Sequence, residues 1–118
     1  MSAEKESVVS RRVVPGSRIG DERTFHEVFA EAFGFPGFYG NNFDAWIDCM
    51  TSLDNPQAGM TSVHVAPGQL LTIEIQDADH MKKSCPDVWL AFLESAAFVN
   101  WRRAEMSLVP VIVVSASA

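Results

Sequence analysis

The chain has 118 residues, of which 47% are hydrophobic and 20% are charged, and its formal net charge is -6. This length and apolar content indicate one folded domain and argue against two domains or intrinsic disorder. The negative charge repels phosphate backbones, which disfavours direct nucleic-acid binding, and it speeds the encounter with a basic protein partner.

The cysteines and histidines do not form a recognisable site. Cys49 and Cys85 lack CxxC spacing, and His26, His64 and His80 lack the HExxH or HxH spacing of metal sites. We therefore predict reduced cysteines, three surface histidines, no bound metal and no cofactor. These patterns also offer no nucleophile or base for an enzyme.

The first residues and the hydropathy bear on the compartment. Residues 1–12 are polar and lack the apolar stretch of a signal peptide, and no apolar run approaches the ~20 residues of a membrane span. We expect a cytoplasmic monomer of one domain over residues 1–118, without membrane contact and with residues 1–7 flexible.

An amphipathic helix is predicted after residues 1–20, which hold one short strand around a pair of valines. Thr24 and Glu27 have the spacing of a capping box. The apolar residues that follow recur at helical intervals: Phe25, Val28, Phe29 and Ala32. Gly34 is predicted to end this helix, because a left-handed C-terminal cap favours a residue without Cβ.

Residues 35–40 form the next segment, which one proline and two glycines exclude from regular helix. The segment nevertheless keeps three aromatic residues, so it is predicted to be a tight aromatic loop. Asn41 or Asn42 then caps a second helix, because a short polar side chain at this position accepts a hydrogen bond from the first turn.

The second helix has two different faces at 100° per residue. One face, expected to be buried, holds Phe43, Trp46 and Met50. The neighbouring face, expected to be accessible, holds Asp44, Asp48 and Thr51. Ile47 lies at the border, where it either completes the core or stands exposed beside the carboxylates.

The C-terminal half alternates strands with a helix. Residues 54–70 are turn-rich and form either an insertion or a hairpin, in which residues 63–65 pair with a half-buried strand at 71–75 across Pro67 and Gly68. A helix capped by Ser84 or Cys85 is predicted to end around residues 101–103. Residues 108–114 have the composition of a strand buried on both faces. The order indicates an α/β fold with a parallel sheet.

The two aspartates of the second helix have a simple interpretation and a functional one. Asp44 favours the helix dipole in the first turn, and Asp48 is then only a solvated acid. With Phe38 and Tyr39 nearby, however, the same acids make a patch of apolar anchors and negative charge, as in interface hot spots. A metal-assisted hydrolase built on the two carboxylates is a further alternative, but no third ligand or base accompanies them.

The segment 38–51 reads FYGNNFDAWIDCMT and resembles the signature of the barstar family of intracellular ribonuclease inhibitors. The resemblance implies a single α/β domain with a three-stranded parallel sheet, and a helix and preceding loop that enter a nuclease active site. It also implies a basic ribonuclease or nuclease toxin as partner, a bacterial source and a role as an immunity protein, with no catalysis by the chain itself.

The resemblance assigns roles by position. Asp48 takes the place of a substrate phosphate among the nuclease's cations, Asp44 binds a second basic group, and Asn42 and Thr51 line the contact. Glu94, in the C-terminal helix, matches a further acid. The predicted partner-binding residues are therefore Phe38, Tyr39, Asn42, Asp44, Ile47, Asp48, Thr51 and Glu94.

The chain also departs from the family pattern. Phe38 replaces a tyrosine, and Ile47 and Leu53 replace tryptophans, so hydrogen-bonding and stacking groups are missing and a partner other than barnase is expected. An alternative from another functional class stays open at this point: an acidic, non-inhibitory interaction or regulatory module on the same fold.

Overall fold

A computed structural model describes residues 7–118 of the chain. The elements in chain order are β1 (Ser7–Val8), β2 (Arg11–Pro15), α1 (Glu22–Phe33), α2 (Phe43–Thr51), β3 (Val63–His64), β4 (Leu71–Gln76), α3 (Ala78–Ser84), α4 (Pro86–Glu105) and β5 (Ile112–Ala116). The prediction that residues 1–7 are flexible falls mostly on residues 1–6, outside the described part, whereas Ser7 belongs to β1.

The strands form two parallel sheets. The expected three-stranded parallel sheet is present in the order β2-β4-β5, and a second, two-stranded sheet pairs β1 with β3. The hairpin across Pro67 and Gly68 was a wrong prediction, because β3 pairs with β1 and β4 lies between β2 and β5. Two neighbouring strands separated by a turn need not pair when each has a better partner elsewhere in the chain.

Helix α1 begins and ends at identifiable caps. Its N-terminal cap is Asp21, which accepts from the Thr24 N–H at 2.8 Å while the Thr24 hydroxyl accepts from the Asp21 N–H at 3.0 Å. The predicted box of Thr24 and Glu27 is therefore placed three residues too late. Gly34 ends the helix in the left-handed conformation, φ 64°, as predicted. A Cβ on Gly34 would also overlap the Ser62 hydroxyl.

The C-terminal half differs from the prediction in three further elements. A separate short helix, α3, precedes α4, and α4 continues to Glu105, beyond the expected end at residues 101–103. Strand β5 begins at Ile112 and lies at a sheet edge, so only its first residue is buried. The prediction of a strand over 108–114 thus placed it too early in the chain and expected more of its residues to be buried.

The core lies between the helices and the three-stranded sheet. Phenylalanines of α1, Phe92 of α4 and Trp46 of α2 form one aromatic cluster with ring centroids 4.5–6.2 Å apart. Helix α2 packs along α4. This packing fixes which side of α2 faces solvent, and therefore the site.

Candidate functional site

The start of α2 is held by its own cap. The Asn42 side chain accepts a hydrogen bond from the Ala45 N–H at 2.7 Å. Asp44 follows in the first turn, where its charge favours the helix dipole. Of the two residues predicted to cap α2, Asn42 is the cap. Asn41 instead adopts a left-handed backbone conformation, φ 55°.

The faces of α2 follow the predicted phase with two corrections. Asp44 and Asp48 are exposed, and Trp46 and Met50 are fully buried. Ile47, at 8% exposure, completes the core. Thr51, expected to be accessible, is buried, and its hydroxyl donates to the Ile47 carbonyl at 2.6 Å.

The second correction on α2 concerns Phe43, which was expected to be buried and is only partly so. It is the first residue of the helix, where α1 covers only part of the ring. The Phe25 ring centroid lies 4.9 Å from that of Phe43.

The aromatic loop before α2 has one exposed ring and one anchored ring. Phe38 is 76% exposed, whereas Tyr39 is half-buried and its ring lies 4.6 Å from that of Phe35. Burial raises the pKa of Tyr39, so its hydroxyl stays protonated, and this hydroxyl shares a hydrogen bond of 2.5 Å with His26 Nδ1. This bond ties the loop to α1.

His26 was predicted to lie at the surface, yet it is 1% exposed. Burial lowers its pKa below the ordinary value of 6.5, opposed by Glu22, whose carboxylate lies 3.5 Å from Nε2. His64 is also buried, so of the three histidines only His80 is exposed as expected. Helical phase could have identified His26, which follows Phe25 on the inward side of α1.

Two pockets flank α2, and six of the eight predicted site residues divide between them, whereas Asn42 and Thr51 line neither. The first, the loop pocket, is lined by Phe38, Tyr39, Gly40, Ala45, Asp48, Cys49 and Met60. The second, the helix pocket, is lined by Asp44, Ile47, Glu94, Ser95, Phe98 and Arg102. Thus Phe38, Tyr39 and Asp48 share one pocket, and Asp44, Ile47 and Glu94 share the other.

The sequence-based site omitted residues that the fold brings to α2, among them Ser95 of α4. Met60 comes from the turn-rich segment, and Phe98 and Arg102 come from the last turns of α4. Arg102 Nη1 donates to Asp48 Oδ1 at 2.7 Å, and both side chains are partly exposed, 37% and 56%. The spacing of α4 places Phe98 and Arg102 on one face at i, i+4, but it does not indicate that this face meets α2.

The site offers little for catalysis. Burial raises the pKa of the Cys49 thiol to about 11, with a further contribution from Asp48, so the thiol is protonated at neutral pH. Within residues 7–118 no three His, Cys, Asp or Glu side chains cluster closely enough to hold a metal ion. In the same part of the chain, no helix has both the length and the apolarity needed to cross a bilayer.

Comparison with known proteins gives one family match. A family model described as Barstar (barnase inhibitor) matches residues 9–113, nearly the whole chain. No curated protein matches the sequence. The matched region includes α2, the aromatic loop and both pockets.

Proposed function

Because the chain belongs to the barstar family, we propose that it inhibits a ribonuclease or ribonuclease-type toxin by placing α2 and the aromatic loop in the enzyme's cationic active site. Inhibition would follow from occupancy, without catalysis by the inhibitor. The cytoplasm of a bacterium that makes such an enzyme is the compartment where this protection would be needed. The observation that carries the proposal is the exposure of Asp44 and Asp48 on one side of a capped, well-packed helix.

Carboxylates on a rigid helix suit this role for an electrostatic reason. A nuclease that cleaves RNA needs cationic groups to stabilise charge on the phosphate, and it cannot lose them without losing activity. Asp48 copies the charge of a phosphate but offers no bond to cleave. The buried face of α2 limits the motion of this carboxylate, which reduces the entropy lost on binding.

The flanking pockets would complete the contact. Phe38, 76% exposed, supplies an apolar anchor beside Asp48. Glu94, exposed on α4, adds a third acid beside Asp44. Asn42 is exposed, caps α2 and would line the contact, whereas Thr51 is buried in the last turn of α2 and would support the surface from within. Tyr39, tied to His26, fixes the loop.

The test is inhibition of small basic secreted ribonucleases, with barnase among them, by the purified chain and by single variants. Asp48→Ala should weaken binding most, by about 30-fold or more, and Asp44→Ala should come next, because an unpaired buried cation on the enzyme costs about 2 to 5 kcal/mol. Asp79→Ala on α3 is the matched control, since it removes one exposed acid outside both pockets. It should leave inhibition unchanged.

Equal inhibition by the Asp44→Ala/Asp48→Ala double variant would place the inhibitory surface elsewhere. Capture of a basic protein without any effect on its nuclease activity would instead favour the non-inhibitory interaction module.

A further inference from the structure

Asp48, the acid proposed to carry inhibition, already forms an ion pair with an arginine of the same chain. Helix α4 continues past the core contacts of Phe92 and Val99, and its last turns reach the outer edge of α2. There Arg102 donates to Asp48 at 2.7 Å, and its guanidinium lies 5.5 Å from the centroid of the Phe98 ring. The guanidinium thus lies beside both the aromatic ring and the carboxylate.

This arrangement occupies the carboxylate that a partner would need. An arginine of a bound enzyme would approach Asp48 from the solvent side, where Arg102 now supplies the counter-charge. Arg102 also lines the helix pocket with Asp44 and Glu94, so its positive charge lies among the acids that would meet the enzyme. Two like charges cannot share Asp48 without repulsion, so the arriving cation and Arg102 compete.

The ion pair between Arg102 and Asp48 is weak enough for a suitable partner to break it. Both side chains are partly exposed, and ion pairs of this kind are screened by water and contribute little. A cluster of several cations can displace Arg102, because the other cations are attracted by Asp44 and Glu94 at the same time. A surface with one isolated cation gains too little to do so.

We propose that Arg102 is a specificity-determining residue: an internal counter-ion that occupies Asp48 until a partner with clustered cations displaces it. The identity of the partner rests on the proposed function, but the competition for Asp48 does not. Arg102 acts through Asp48, and its effect is to raise the charge density that a partner must present.

The first experiment measures the binding kinetics between the Arg102→Gln variant of this chain and a ribonuclease that the wild-type chain inhibits. Affinity should rise about two- to fivefold, the equivalent of an exposed ion pair, and the rise should vanish in an Asp48→Asn background. Arg102→Lys should stay near wild type, because it keeps a cation on α4. Arg23→Gln on α1, which makes the same change in net charge, should have a smaller effect than Arg102→Gln.

Thermal unfolding should be nearly unchanged in Arg102→Gln, which separates competition from loss of structure. Weaker binding by Arg102→Gln would mean that Arg102 contacts the enzyme directly, and it would overturn the proposal. An equal gain with and without Asp48 would also overturn it, since the effect would then be one of general charge.

A second experiment does not need a ribonuclease. A hexa-arginine peptide is titrated into isotope-labelled protein while the side-chain carboxyl resonance of Asp48 is followed by NMR. Half-saturation should occur at about two- to fivefold lower peptide concentration in Arg102→Gln than in wild type and in Arg23→Gln. Identical curves would refute the competition. If no ribonuclease is inhibited by any variant, the proposed function fails, and this titration still decides the role of Arg102.

Discussion

Arg103 is 1% exposed. The preceding residue, Arg102, instead forms its ion pair with Asp48 at the surface. Its guanidinium donates to both carboxylate oxygens of Asp54 at 2.8 and 3.0 Å, to the Thr51 carbonyl at 2.8 Å and, through Nε, to the Val109 carbonyl at 2.7 Å. One side chain thereby joins the end of α2, the segment after it and the segment before β5. Adjacent arginines on α4 thus have different roles: Arg103 fastens α2 from inside, and Arg102 meets it at the surface.

Arg103→Met should lower the free energy of unfolding by about 3 kcal/mol, because it removes four hydrogen bonds and leaves the partly buried Asp54 carboxylate without its cation. Denaturant unfolding measures this loss. The control is Arg23→Met, which removes an exposed ion pair within α1 and should cost less than about 0.5 kcal/mol. Equal losses in the two variants would show that the Arg103 contacts add nothing to stability.

His26 should make stability depend on pH. Its pKa in the folded state is below 6.5, so between that pKa and 6.5 the unfolded chain binds the proton more readily than the folded one. The free energy of unfolding should therefore fall as the pH is lowered below about 6.5, by up to about 1.4 kcal/mol per pH unit. It should level off below the pKa of the folded state.

His26→Gln should reduce this pH dependence, and unfolding by denaturant at pH 7.5 and 5.5 measures the difference. His80→Gln, which removes an exposed histidine on α3, should retain the wild-type dependence. If His26→Gln and wild type lose the same stability on acidification, other groups are responsible.

At the scale of elements, the position of α2 depends on its two ends. Asn42 fixes the first turn, and the Thr51 carbonyl, held by Arg103, fixes the last. A helix of nine residues is too short to be stable alone, so the caps and the packing on α4 carry it. The carboxylates are ordered because the helix beneath them is ordered.

Asn42→Ala should lower the free energy of unfolding by about 1 kcal/mol, because the Ala45 N–H loses its acceptor. Asn42→Asp, which keeps an acceptor and adds negative charge at the helix N-terminus, should restore stability. Denaturant midpoints of the three proteins test this. A midpoint for Asn42→Asp as low as that for Asn42→Ala would show that the hydrogen bond is not what holds the start of α2.

At the scale of the whole molecule, charge governs the encounter with a partner. With a net charge of -6, the chain attracts a basic enzyme over distances that salt shortens to about 8 Å at physiological ionic strength. The association rate with an inhibited ribonuclease should therefore fall by about tenfold or more between low salt and 0.5 M salt. The dissociation rate should change much less.

The Asp44→Ala/Asp48→Ala variant should show a flatter dependence of association rate on salt, measured by stopped-flow mixing. The Asp79→Ala/Asp87→Ala variant makes the same change in net charge away from both pockets, and should keep a slope closer to wild type. Identical slopes in the two variants would mean that the encounter senses total charge and not the acids on α2.

Most local features of this protein could be predicted from short stretches of its sequence. Helix caps and helical phase depend on residues within one or two turns of each other. The asparagine cap of α2 and the glycine after α1 could therefore be identified. For the same reason, four residues of α2 could be assigned to their faces: Trp46, Met50, Asp44 and Asp48. Strand β4 was also evident from its alternating and β-branched residues, and the order of the elements indicated a parallel sheet. That this sheet has three strands was implied only by the resemblance to the barstar family.

The long-range pairings could not be predicted from the sequence and became visible only in the folded chain. The partner of β3 is β1, and the partners of Asp48 and Asp54 are Arg102 and Arg103, between 49 and 56 residues apart in the chain. His26 and Thr51 are buried because other elements cover them. No periodicity encodes which distant side chain arrives at a given surface, since that depends on how α4 packs on α2. For the same reason, the cation on Asp48 appears only in the folded molecule.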